Sequence, residues 1–209
     1  MIAVRLLVPP AALRTALGPD AAGALDEMAS TLAASPDRLG RLFPAAARRT
    51  SRGPLDGTAH RAEDAVRVEL VAAAASAIDG AALLAELREV YRYGDADEKR
   101  AVLLALGGID ARSVDASDLL LDALRTNDVR LVAAAMGPHA ARLSTHDWRH
   151  GVLKCLFTGV PLTEVADLDT RADDELVAMV RRFANERAAA GRPVPADATV
   201  LLSTSSSEA

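Results

Sequence analysis

His146 and His150 stand four residues apart, the first pair in this sequence whose types and spacing suit chemistry. On a helix that spacing places both imidazoles on one face, where they can bind zinc or another divalent metal once a third ligand joins them. Asp147 lies between them, but no third ligand is obvious, and two surface histidines in the first turns of a helix fit the same residues. Cys155 follows Lys154 directly, and a lysine neighbour can lower a thiol pKa. Successive helical residues do not face each other, however, and Leu153, Leu156 and Phe157 surround the thiol, so a buried, inert cysteine is expected. Tyr91 and Tyr93 with Arg88 and Arg92 could stack on a ligand or pack a helix edge. Arg48, Arg49 and Arg52 around Thr50 and Ser51 suit an anion, a phosphorylation site or a solvated basic linker. No nucleophile elbow, phosphate loop or dinucleotide fingerprint is present. No catalytic residue, metal or cofactor is therefore assigned.

The elements that must position these groups are helices. About a fifth of the 209 residues are alanine and only 3% are aromatic, a composition that favours helices packed with close axes. Pro19 and Pro36 open helices carrying Leu25, Met28 and Leu32, then Leu39, Leu42 and Phe43. Residues 48–57 read as a loop. A helix is expected over Ala59 to Ile78, a second over Ala81 to Tyr93 capped by Asp79, and a third opened by a capping box of Asp95 and Glu98. Further helices span Leu119–Arg125, Val129–Met136, Thr145–Phe157 and Asp173 to about Ala190, with Leu162–Thr170 a turn. Residues 97–107 echo residues 127–137 without gaps: Arg, Val, Ala and Gly coincide. An acidic helix start followed by arginine and a small apolar face is how stacked hairpins of the HEAT type read. The expected fold is all-α, a single HEAT-like, α-solenoid-like domain. Residues 1–58 would supply N-terminal helices and a basic loop packed on a core at 59–198, and 199–209 an unstructured serine-rich tail.

A net charge of −5 argues against a nucleic-acid partner. One cysteine suits a reducing compartment. No secretory leader is recognised, and the longest apolar run, Leu70 to Ile78, is too short to be a transmembrane segment. The expected location is cytoplasmic.

The last third carries the most specific pattern. Arg125-Thr126-Asn127 is followed by Trp148, the run Val152 to Leu162, then Leu168-Asp169-Thr170-Arg171-Ala172 and the stretch Glu186 to Pro195. In this order and spacing, and with the tract Tyr91 to Glu98, residues 89–195 resemble the EboA family, small bacterial proteins encoded in a cluster linked to moving secondary-metabolite precursors. Asn185 stands where histidine is expected, Ala133 where an acid is, and Asp173 and Asp174 where asparagine is usual.

The resemblance implies a protein that assists traffic or export of a precursor, by binding a small molecule or by docking partners from the same cluster, a prenyltransferase-like membrane protein among them. An enzyme using Lys154 or a His146/His150 metal, and a scaffold with no ligand, are the alternatives. Arg125, Asn127, Trp148, Lys154, Asp169, Arg171, Glu186, Arg187 and Arg192 are the candidate polar residues. They either fix helix ends through free backbone groups or, in the case of Arg125, Asn127, Trp148, Lys154 and Arg171, line a pocket for an anionic molecule.

Overall fold

The computed structural model describes residues 2–205. Among them the chain is all-α, with twelve α-helices, three short 3-10 turns and two isolated β-bridges, Val4 to Ile109 and Pro54 to Arg61. It forms two compact units that part between Leu119 and Leu120.

The first unit holds α1 (Pro10–Leu17), α2 (Pro19–Ala34), α3 (Leu39–Arg49), α4 (Ala62–Ala75), α5 (Gly80–Tyr93) and α6 (Ala96–Gly107). Helix α4 is its axis. Most of its surface is buried, at Ala62, Val66, Val68, Leu70, Val71 and Ala75, while the edge of Glu69, Ala72 and Ala73 is half-buried. Helices α2, α3 and α6 pack on it. Helices α1, α2 and α3, within residues 10–49, all pack against α4. Asp95 and Glu98 form the reciprocal capping box at the start of α6, and Asp79 caps α5 through the Ala82 amide.

Helices α4 and α6 run in the same direction. Their N-terminal turns meet at Asp64 and Arg100. Their C-terminal ends both receive the N-terminal segment, through Ile2 N–H to Ala75 O and Arg5 N–H to Gly108 O. Gly108 makes that second contact possible: a Cβ there would collide with the Arg5 carbonyl.

The division between units falls inside α7 (Ser117–Leu124). The second unit continues through α8 (Val129–Ala135), α9 (Thr145–Thr158), the four-residue α10 (Leu168–Arg171), α11 (Asp174–Ala189) and α12 (Ala196–Ser205). The echoed segments become α6 of the first unit and α8 of the second. Asp128 caps α8, Ser144 caps α9 and Asp173 caps α11. Gly159 ends α9 in the left-handed conformation.

Three expectations change. The long helix expected from Ala59 begins at Ala62, because Leu55 and Arg61 engage the intervening backbone in a turn. The turn expected over Leu162–Thr170 contains a 3-10 turn at Leu162–Glu164 and then α10. Residues 199–205, expected to be an unstructured tail, continue α12. Ala198 and Leu201 are buried there, and the Asp197 carboxylate accepts the Leu162 amide at 2.7 Å. Residues 206–209 of that tail lie outside the described residues.

Candidate functional site

Five charged side chains lie buried around the N-terminal turns of α4 and α6: Glu63, Asp64, Arg67, Glu98 and Arg100. None is in the set suggested by the C-terminal motifs. The signal was present in α4 itself. Val66, Val68, Leu70 and Val71 spread apolar side chains over most of that helix, which draws Glu63, Asp64 and Arg67 into the interior with it.

The charges are buried in pairs. Arg100 grips Asp64 through Nε at 3.0 Å and Nη2 at 3.0 Å. Burial pushes the Asp64 carboxyl above its ordinary value, against the pull of the Arg100 hydrogen bond and charge. Arg67 donates to the Phe43 carbonyl at 3.3 Å, approaches Glu98 at 3.5 Å and lies over the Phe43 ring. These contacts join α3, α4 and α6 at one level.

Glu63 acts outward from the same turn. Its carboxylate accepts the Gly53 amide at 2.8 Å and Arg61 Nε at 2.6 Å. Burial opposes its charge, but Arg61, its own backbone and the Gly53 amide hold the carboxyl below its ordinary value. The loop before α4 is thereby pinned. Leu55 N–H donates to His60 O at 2.9 Å and Ala62 N–H to Gly53 O at 2.8 Å. Gly53 and Gly57 take the positive φ values, 121° and 71°, that this tight path demands. The basic stretch read as a linker is thus followed by a built wall.

Opposite that wall stands α1, and an open cleft of about 420 Å³ lies between them. Ala12, Thr15 and Ala16 line one side; Ser51, Leu55 and Asp56 line the other. The surface is mainly methyl and aliphatic, with two hydroxyls and one carboxylate. Such a cleft can hold a small apolar body and accept hydrogen bonds from its polar substituents.

In the second unit the motif residues form separate contacts. Lys154 Nζ donates to Asn127 Oδ1 at 2.8 Å. The Arg171 guanidinium lies 4.7 Å from the buried Trp148 ring and donates to the carbonyls of Ala140 and Leu143, each at 2.9 Å. Arg187 Nε donates to Pro193 O at 2.7 Å, closing the end of α11. Arg125, Asp169, Glu186 and Arg192 stand exposed. Arg171 and Arg187 thus tie backbone carbonyls at helix and turn ends.

The remaining candidates divide. Cys155 is buried and its thiol is pushed up to about 12 by burial, which leaves it protonated and a poor nucleophile. Tyr91 is buried with Lys99 4.9 Å from its ring, whereas Tyr93 is exposed beside Arg92. Arg88 pairs with Asp118 at 2.9 Å. The ring centroids of His146 and His150 lie 4.4 Å apart, with the planes tilted by 58°.

The model of the family described as metabolite traffic protein EboA matches residues 47–202. The chain belongs to the EboA family. No curated protein and no solved structure matches it. The EboA match takes in the loop wall of the cleft, the α4–α6 charge pairs and the second unit as far as Leu202; the α1 wall precedes it. Among the described residues of this EboA protein, no helix is long and apolar enough to cross a membrane.

Two outcomes are expected. Glu63→Gln leaves one oxygen where Arg61 and Gly53 each had their own and turns an NH2 donor toward the other, so the Gly53 and Ala62 amides should exchange faster and stability fall by about 1.5–3 kcal/mol. Unchanged exchange would show that the loop does not depend on Glu63. Acid should also unfold the protein through its caps. Arg130 holds the Asp128 carboxyl, and Arg149 the Asp173 carboxyl, below their ordinary values. Their stabilisation is complete above the unfolded value, about 3.9, and is lost as pH falls through the lower folded values. Asp64 has the opposite sign, since its pKa is raised. Asp173→Asn, which can still cap α11, should flatten part of the loss of melting temperature below about pH 4.

Proposed function

We propose that this EboA-family protein serves metabolite traffic by holding a small, mainly apolar precursor without reacting with it. The α1–loop cleft carries this reading. Its volume, about 420 Å³, lies within the roughly 300–1,000 Å³ range of small-molecule sites. One of its walls is fixed by a buried carboxylate, so little ordering remains to be done on binding. A secondary-metabolite precursor with a hydrocarbon body and hydroxyl or amino substituents fits the lining chemistry. The buried Cys155 and the Lys154–Asn127 hydrogen bond favour holding over covalent chemistry.

A second reading, docking of a partner protein from the same cluster, draws on Phe157 and Val129. Both are large apolar residues standing exposed, at 61% and 45%.

Ala16 is exposed on the cleft wall, so Ala16→Trp fills the cleft without entering the core. Native mass spectrometry on protein purified from its host should show an added mass on the wild type. The added mass should be absent from Ala16→Trp at unchanged melting temperature. Equal retention by the variant, or no added mass on the wild type, would contradict the cleft reading.

A further inference from the structure

We infer that His146 and His150 form a surface site for a nitrogen-preferring divalent metal ion of the Zn²⁺, Cu²⁺ and Ni²⁺ class, with its remaining coordination positions open to water. The two residues sit one turn apart on α9, both exposed, with ring centroids 4.4 Å apart and planes tilted by 58°. Small side-chain rotations bring one nitrogen of each ring to a shared ion, because residues four apart on a helix stand one above the other.

The backbone that carries them is fixed. Trp148, Val152, Cys155 and Leu156 bury the opposite face of α9, and Ser144 caps its start. Neighbouring charged groups are already engaged. Asp147 accepts the Ser144 hydroxyl at 2.7 Å, Arg149 is held by Asp173, and Lys154 is tied to Asn127. Among the described residues no third histidine, cysteine or carboxylate completes a cluster. Water, or an oxygen of an incoming molecule, therefore fills the other positions. An imidazole pair without carboxylates selects late first-row ions over Mg²⁺ and Ca²⁺, which require oxygen ligands.

Isothermal titration of the chelator-treated full chain with Zn²⁺ tests the site, with Mg²⁺ as the contrast and His146→Gln and His150→Gln as variants. Both histidines are exposed, so both variants should keep the wild-type melting temperature. The expected result is one equivalent of Zn²⁺ bound by the wild type and none of Mg²⁺. Each variant should lose at least about tenfold in Zn²⁺ affinity, the scale of loss when even an outer-shell partner of a metal is removed. No Zn²⁺ binding by the wild type would overturn the site. So would wild-type affinity in either variant.

Discussion

The guanidinium of Arg100 closed on the carboxylate of Asp64 is the contact on which the first unit depends. Each partner is costly to bury alone; Arg100 faces Asp64 and also reaches Asp97 at 3.4 Å. That requirement fixes how α4 lies against α6, since sliding either helix by one residue would strand Asp64. Apolar packing alone would accept several registers among so many alanines and valines. The charge pair accepts one, and Arg67 extends it to α3 through the Phe43 carbonyl.

From that fixed helix start the structure builds outward. Glu63 neighbours Asp64 and is held in place by the same turn, and it in turn holds Gly53 and Arg61. A loop with two positive-φ glycines would otherwise move freely; here it stands as one wall of a cleft. The second unit uses the same device at smaller scale. Arg171 spans from α10 to the carbonyls of Ala140 and Leu143 while covering Trp148, and Arg187 closes the end of α11. Arginine suits this work because one planar group can serve two acceptors and a ring face.

Much of the helical order was legible in the sequence because caps and breakers act locally. Asp79, the Asp95–Glu98 box, Ser144, Asp173 and Gly159 each mark a helix end through their own side chain or backbone, and each stands where its residue type predicts. What eluded the sequence depends on distant partners. Residues 59–61 leave the expected helix because Gly53, Pro54 and Leu55 capture their backbone. Residues 199–205 continue a helix whose start is tied down where Asp197 reaches Leu162. The buried charges could have been suspected from the wide apolar surface of α4, but their pairing with Arg100 and Glu98, over thirty residues away, required the fold. Motif residues such as Arg125 and Arg192 lie in the second unit, whereas the cleft lies in the first and takes one wall from residues 12–16, outside the family match.

A double-mutant cycle on Asp64→Leu and Arg100→Leu, read by denaturant unfolding, tests the central claim most directly. If the pair sets the register, Arg100→Leu strands the buried Asp64 and loses about 3–5 kcal/mol, while Asp64→Leu, which leaves Arg100 its Asp97 contact, loses somewhat less. The double variant then loses far less than the sum. Losses that add to within about 0.5 kcal/mol would show the two residues acting independently, and the register would have to come from apolar packing alone.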